Sequence, residues 1–169
     1  MNKSKKIVFF IPSFSSIEAT TPLGLLAIST PLLRAGHEVR IIDSTITPNY
    51  KVQILEEVKD ALCLGISLVT GPMISETVKV ARCLKEWNPA FPIILGGWHP
   101  SLLPGPTLEA EYVDIVVRGQ GEDPTLEVAD RLRAAGHTLA EAHLEHPEKP
   151  DDCIKGVVPL RKAALNFFL

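Results

Sequence analysis

The sequence predicts a doubly wound α/β domain built on five parallel strands. Two observations indicate this fold. Five short apolar segments have the length of buried strands, and segments with helical spacing of apolar residues separate them. Strands that alternate with helices form a parallel sheet with right-handed crossovers and helices on both faces. The pattern favours the strand order 2-1-3-4-5, which is the flavodoxin-like (Rossmann-like) arrangement.

The first two elements are a buried strand and a helix that contains a proline. Lys6 to Ile11 (KIVFFI) is an apolar run typical of a strand covered on both faces. A polar loop follows, and the first helix is predicted to begin after Pro22 and to end at Gly36. Pro31 is expected to kink or break this helix. Helical spacing nevertheless places five residues on one stripe, namely Leu25, Leu26, Ser29, Leu32 and Leu33.

The remaining elements repeat the alternation. Strands are predicted at His37 to Ile42, Ala61 to Ser67, Phe91 to Leu95 and Asp114 to Val117, and helices at Tyr50 to Asp60, Pro72 to Trp87, Leu102 to Glu111 and Asp123 to Ala135. The polar segment after Gly136 contains Cys153 to Val158 as a candidate for one more edge strand. We therefore expect one α/β domain over residues 1–136 and a linker or terminal extension over residues 137–169.

Composition excludes several classes of function. The 169 residues are 46% hydrophobic and 22% charged, which suits one compact domain, and a net charge of -3 disfavours a nucleic-acid partner. No apolar run reaches the roughly 18 residues that span a bilayer, and the amino-terminal segment is interpreted as a strand and not a signal peptide. We therefore expect a cytoplasmic protein. Its three cysteines have no iron–sulfur or zinc spacing, which predicts free thiols.

The loops that follow the strands are rich in small residues. They read PSFSS, SLVTGP, GGWHP and RGQGE after the first, third, fourth and fifth strands. Ligands of open parallel sheets bind outside the carboxyl ends of the strands. Glycines let the backbone approach a ligand closely, and the hydroxyls of Ser67 and Thr70 can bond its polar groups. The sequence thus predicts a ligand site at this edge of the sheet.

Three segments of the sequence resemble one family. They are TPLGLLAISTPLLRAGHEVRIID, LGISLVTGPMISETVKVARCLKEWNP and PIILGGWHPSLLPGPTLEAEYVDIVVRGQGEDPTLEVADRL. In this order they resemble the amino-terminal cobalamin-binding domain of cobalamin-dependent radical SAM enzymes, the group that includes the anaerobic magnesium-protoporphyrin ester cyclase. The resemblance covers about Lys6 to Leu132. It implies that the cofactor is cobalamin and that a radical SAM domain or partner protein carries out the reaction.

The resemblance also implies a set of cofactor-binding residues. Ser67 would meet the dimethylbenzimidazole tail, Gly96 and Gly97 would leave room for it, and valine at position 97 would block its path while leaving the fold nearly intact. Residues 119–122 would close the far wall. The full implied set is Ser13, Phe14, Ser67, Leu68, Val69, Thr70, Gly96, Gly97, Trp98, His99, Gly119, Gln120, Gly121 and Glu122.

Two features depart from the family pattern. The first loop, PSFSSIEATTP, lacks the DxHxxG motif that supplies an axial histidine, so the resemblance implies base-off cobalamin without that ligand. The sequence also lacks the CxxxCxxC cluster motif and the barrel strands, so the catalytic groups are expected elsewhere. The chain is then either a truncated or excised domain or a stand-alone cobalamin carrier.

The remaining histidines and the alternative functions give weaker signals than this interpretation. His99 is a weak candidate for a cobalt ligand, and His37 is expected to be structural because it lies at the opposite end of the sheet. His137, His143 and His146 are too loosely spaced to indicate a metal site. A receiver domain would need an aspartate where Ser67 stands. The alternative that stays open is a flavodoxin-like nucleotide- or flavin-binding protein.

Overall fold

A computed structural model of the protein describes residues 5–12, 21–135 and 163–166. Its strands are β1 (Lys6–Ile11), β2 (Glu38–Asp43), β3 (Ala61–Ser67), β4 (Ile93–Gly96), β5 (Ile115–Arg118) and β6 (Ala163–Asn166). Its helices are α1 (Leu23–Arg34), α2 (Tyr50–Glu57), α3 (Pro72–Trp87), α4 (Trp98–Leu102), α5 (Pro104–Glu109) and α6 (Glu122–Ala135), with a 3₁₀ turn at Val58–Asp60.

The strands form one sheet in the order β2-β1-β3-β4-β5-β6, and every neighbouring pair is parallel. This confirms the predicted order 2-1-3-4-5 for the first five strands. The sixth strand lies at the edge beside β5 and falls within the predicted extension. The candidate edge strand at residues 153–158 lies outside the described residues, and the predicted boundary at residue 136 stays a prediction.

Strand β1 sends alternate side chains into two separate cores. Val8 and Phe10 of β1 point to the core that also holds buried residues of α2 and α3. Ile7 and Phe9 point to the other core, which holds buried residues of α1 and α6. Side chains alternate in this way because successive Cβ atoms of a strand lie on opposite faces. We refer to the second side of the sheet as the α1/α6 face.

Helix α1 differs from its prediction in two respects. It continues through Pro31 to Arg34 without the break that the proline was expected to cause as an alternative to a kink. Its buried stripe is also narrower, because only Leu25, Ser29 and Leu32 are buried, whereas Leu26 and Leu33 are 45% and 56% exposed. Each of these two leucines follows a buried residue by one position, a rotation of about 100° around the helix. The Ser29 hydroxyl donates to the carbonyl of Leu25 at 2.6 Å, so its burial leaves no polar group unsatisfied.

The predicted helix at Leu102 to Glu111 is wrong in its bounds. The structure has two shorter helices there, and α4 begins at Trp98, directly after the glycine pair. Leu103 separates them in a non-helical conformation because it precedes Pro104. By contrast, α3 has the bounds that the sequence predicted. Within the described part of the chain, no helix has the length and apolar character that a bilayer crossing needs.

Polar side chains form hydrogen bonds at the edge of the sheet where the strands begin. Lys85 Nζ donates to Asp114 Oδ2 at 2.6 Å, and the same carboxylate oxygen accepts the amide of Ile93 at 2.8 Å. His37 is buried, with Nε2 3.0 Å from Asp130 Oδ1. The prediction that His37 has a structural role is therefore confirmed.

The two cysteines within the described residues are free, as expected. Cys63 is buried in β3 and Cys83 is exposed on α3. Burial raises the pKa of the Cys63 thiol to about 12, so this thiol stays protonated at neutral pH and unreactive.

A second polar cluster joins α2 to α3. The carboxylate of Glu76 accepts hydrogen bonds from the hydroxyl of Tyr50 and from the ammonium groups of Lys51 and Lys79, the last two at 2.9 and 3.1 Å. The Tyr50 hydrogen bond is the main reason that the pKa of Glu76 falls to about 2. The Tyr50 ring stacks on Phe10 at 5.4 Å, so the cluster also ties both helices to the sheet.

We expect Glu76→Gln to lower the free energy of unfolding at neutral pH by about 1 to 2 kcal/mol, because it removes a charge-assisted acceptor of three donors. Since the folded pKa lies below the ordinary value of 4.5, this stabilisation is present above about pH 5 and is lost as pH falls towards 2. Urea denaturation at several pH values measures the difference. The exposed pair of Glu56 with Lys59 supplies the control, Glu56→Gln, for which we expect less than about 0.5 kcal/mol. An undiminished Glu76 effect at pH 3 would contradict this account.

Candidate functional site

A cavity of about 570 Å³ opens at the carboxyl ends of the strands, on the α1/α6 face of the sheet. Its floor includes Phe9 of β1, Ile94 of β4 and Val117 of β5. Helix α1 forms one wall, α4 and the start of α6 form others, and residues of β3 and of the loops after β4 and β5 complete the lining. The volume lies within the range of about 300 to 1,000 Å³ that is usual for small-molecule sites. We call this space the strand-end cavity.

Gly65 lets the floor of the strand-end cavity lie flat. A Cβ atom at this position in β3 would lie 2.6 Å from Cδ1 of Phe9, which is too close for any real pair of atoms. The Phe9 ring therefore occupies the place that a side chain on β3 would take. Because the ring rests against the backbone of the neighbouring strand, it forms the floor and leaves the space above it open.

Gly97 connects the loop after β4 to the loop after β3. Its φ of +94° and ψ of -167° belong to a region that is essentially open only to glycine. A Cβ atom there would lie 2.6 Å from the carbonyl oxygen of Leu68. The same carbonyl accepts the amide of His99 at 3.3 Å, and the amide of Leu68 donates to Gly96 at 3.0 Å. The expectation that valine at position 97 would leave the fold nearly intact is therefore wrong, because the backbone itself requires glycine.

Ser101 connects the loop after β4 to the loop after β5. Its hydroxyl donates to the carbonyl of Gly97 at 2.7 Å and accepts the amide of Gly119 at 3.0 Å. Beyond it, Gly121 lets the start of α6 approach α1 closely, since a Cβ atom there would lie 2.7 Å from Cδ1 of Ile28. Three strand-end loops are thus joined by direct contacts around one cavity.

The structure brings together eight of the residues that were predicted for the site. The lining of the strand-end cavity includes Ser67, Gly96, Gly97, Trp98, Gly119, Gln120, Gly121 and Glu122. Four predicted residues do not line it. Leu68 and Val69 pack with the opposite core, and Thr70 Oγ1 lies 3.0 Å from His99 Nδ1, so those two side chains pair with each other. Ser13 and Phe14 lie outside the described residues.

Sequence reasoning missed the wall that α1 supplies. Gly24, Ala27 and Ile28 line the cavity, and a Cβ atom on Gly24 would have no atom within 4 Å. The one available signal was a glycine and an alanine three positions apart, which share a helix face. Nothing in the sequence marked the floor residues as part of a site, because an apolar residue in a strand is equally compatible with a core that has no cavity.

The polarity of the cavity changes from floor to mouth. The floor is apolar, whereas Gln120 and Glu122 contribute polar groups near the start of α6. The hydroxyls of Ser67 and Thr125 also line it, and neither makes a hydrogen bond within the described residues. Trp98 is 75% exposed although it lines the cavity. Such an arrangement suits an elongated ligand with a flat apolar end and a polar body.

Comparison with known proteins points to one family. Residues 18–129 match the B12 binding domain. The chain is 35% identical over 112 residues to the anaerobic magnesium-protoporphyrin IX monomethyl ester cyclase of Synechocystis sp., an alignment that covers 62% of this chain and 22% of the cyclase. It is 32% identical over 139 residues to an uncharacterized methyltransferase of Pyrococcus horikoshii, covering 77% of this chain and 30% of the relative.

The fold is shared with a solved enzyme structure. The radical S-adenosylmethionine methyltransferase TsrM from Kitasatospora setae, solved with cobalamin and a [4Fe-4S] cluster bound, superposes with a TM-score of 0.68 at 19% identity. The match covers 82% of this chain and 26% of TsrM. The chain therefore spans less than a third of the length of these three relatives.

The adjacent glycines at the end of β4 give a test of the geometry. We expect Gly97→Ala to lower the free energy of unfolding by about 2 to 3 kcal/mol, because alanine is strained at this φ and would contact the Leu68 carbonyl. Gly96→Ala is the matched control. Its Cβ atom would make only ordinary contacts of 3.8 and 3.9 Å with Val117, so we expect a change below about 1 kcal/mol. Urea denaturation measures both, and equal effects would refute the role assigned to Gly97.

Proposed function

The chain belongs to the family of B12-binding domains, whose cofactor is cobalamin, and we propose that it holds cobalamin in the base-off form, with the nucleotide tail inserted into the strand-end cavity. One observation carries this proposal. The cavity adjoins both Ser67 and the glycine pair Gly96 and Gly97, where the family resemblance expects the tail.

The shape and polarity of the cavity support tail insertion. The tail ends in a flat aromatic base, and the floor formed by Phe9, Ile94 and Val117 offers an apolar surface to it. Burial of apolar surface contributes about 25 cal/mol per Å² before the costs of association, so a buried base would favour binding. Gly24 leaves open space in the α1 wall, because a Cβ atom there would meet nothing within 4 Å.

Residues at the mouth of the cavity suit the rest of the cofactor. The corrin ring is broad and largely apolar on its faces, with amide side chains at its edge. Trp98 and Leu102 are 75% and 69% exposed, and covering them with the ring would remove apolar surface from water. Gln120 and Glu122 can accept hydrogen bonds from the amides.

The proposal gives cobalt no histidine from the first loop. Residues 11–22 contain none, and His99 lies within hydrogen-bonding distance of Thr70. When bound, cobalamin supplies a cobalt centre that carries alkyl groups and changes oxidation state. The residues of this chain bind the tail, orient the ring and exclude water from the buried base.

We further propose that the domain serves a radical SAM methyl transfer or cyclisation. The curated relatives are described as a methyltransferase and a cyclase, and this chain aligns with less than a third of each. The sequence has no CxxxCxxC motif, so a radical SAM domain, in the same polypeptide or in a partner, would supply the iron–sulfur cluster and the substrate site.

Filling the cavity tests tail insertion. We expect Gly24→Leu to weaken cobalamin binding at least about tenfold, because the leucine would occupy the space the base needs. Leucine has a higher helix propensity than glycine, so stability should be unchanged or raised by up to about 1 kcal/mol. The measurement is the corrin absorption retained after incubation with hydroxocobalamin and desalting.

Gly105→Leu is the matched control for this experiment. Gly105 is also a helical glycine with no atom within 4 Å of a built Cβ, and it does not line the cavity. This control should retain cobalamin like the unsubstituted chain. Cobinamide, which lacks the tail, should bind equally to all three proteins. Normal retention of cobalamin by Gly24→Leu would refute tail insertion.

The base-off state has a spectroscopic test. Electron paramagnetic resonance of the bound Co(II) form should lack nitrogen hyperfine splitting, because the proposal leaves neither the tail base nor a histidine on the metal. A three-line nitrogen pattern would contradict the base-off proposal if it persisted in His99→Ala. Its disappearance in that variant would identify His99 as the ligand.

A further inference from the structure

The strand-end cavity offers few polar partners to whatever it buries. Three hydroxyls line it, those of Ser67, Ser101 and Thr125. The Ser101 hydroxyl is already used, since it donates to Gly97 and accepts from Gly119. Gln120 and Glu122 lie at the start of α6, where the proposed function assigns them to the corrin amides. Among the described residues, two side-chain hydroxyls then remain for a buried base, against an otherwise apolar floor.

The strand backbone beneath the cavity adds little to this supply. Ile66 and Ser67 of β3 pair with Leu95 and Gly96 of β4 in the parallel ladder, and the Leu68 amide donates to Gly96. Backbone groups committed to a ladder have their main hydrogen bonds already made. With Gln120 and Glu122 assigned to the corrin amides, the hydroxyls of Ser67 and Thr125 are the side-chain partners left for a base on the floor of the cavity.

Corrinoids differ in the base that ends their tail, and these bases differ in polarity more than in size. A benzimidazole has one ring nitrogen that needs a partner once the other carries the ribose. Adenine has further ring nitrogens and an exocyclic amino group, each of which loses water on burial. An unpaired buried polar group weakens binding in proportion to its lost hydration.

We propose that the strand-end cavity selects corrinoids by their lower base, accepting benzimidazole-type tails and disfavouring adenine-type tails. This selection rests on the proposed function, because it requires the tail to enter the cavity. Two hydroxyls satisfy a benzimidazole and leave part of an adenine unpaired. We expect an affinity for the adenine-containing corrinoid that is lower by a factor of about 10 to 100.

Val117 and Val116 provide matched variants. Val117 lines the cavity, whereas Val116 points to the opposite core, and both are buried in β5. Val117→Thr adds a third free hydroxyl to the floor, so the ratio of the two affinities should fall several-fold. Val116→Thr buries a hydroxyl away from the cavity and should leave the ratio unchanged while costing similar stability.

The experiment titrates the chain and both variants with three probes, namely cobalamin, its adenine-containing analogue pseudocobalamin and cobinamide, and follows the corrin absorption at equilibrium. Equal affinities of the unsubstituted chain for the first two probes, with cobinamide weaker, would overturn base selection and leave tail insertion standing. Cobinamide that binds as tightly as cobalamin would overturn tail insertion, and with it base selection. Failure to bind any corrinoid would overturn the proposed function itself. A ratio that falls equally in both variants would also count against base selection.

Discussion

The site depends on one close backbone approach, that of Gly97 to Leu68. Because Gly97 has a positive φ and no side chain, the chain leaving β4 turns against the loop that leaves β3. This turn lets α4 begin at once, and α4 carries Ser101 to the position where it bonds both Gly97 and Gly119. Without this turn, the three loops would not be held in contact with one another, and the rim of the cavity between them would not be fixed.

The two edges of the sheet differ in whether their polar groups are paired. Where the strands begin, charged groups meet partners, as in the pair of Lys85 with Asp114 and the contact of His37 with Asp130. Where the strands end, small residues leave space, and the hydroxyls of Ser67 and Thr125 have no partner within the described residues. The Glu76 cluster also lies away from the cavity, because α2 and α3 pack on the opposite face of the sheet. This separation is the usual consequence of a site whose polar groups are reserved for a ligand.

Sequence reasoning recovered the framework because the framework follows from periodicity. The bounds of α3 were predictable from Pro72 and a clear helical spacing, and the strand order followed from the alternation of elements. The start of α4 was not predictable, because it depends on how Gly97 packs against another loop. The α1 wall was missed for the same reason. Whether a small residue such as Ala27 faces a ligand or a neighbouring strand is decided by tertiary contacts that no local pattern encodes.

The glycines of the site are of two kinds, those that the fold requires and those that it does not. Gly65 and Gly97 are fixed by the chain itself, because a Cβ atom would collide with the Phe9 ring or with the Leu68 backbone. At Gly121 the nearest atom is the end of the Ile28 side chain, which can turn away. Gly24 is under no such constraint. A larger residue there would favour the helix, so helix formation alone gives no reason for glycine. Gly105 has the same open surroundings and does not line the cavity, so open space alone does not indicate a ligand. What distinguishes Gly24 is that its open space adjoins the cavity that the proposed tail would enter.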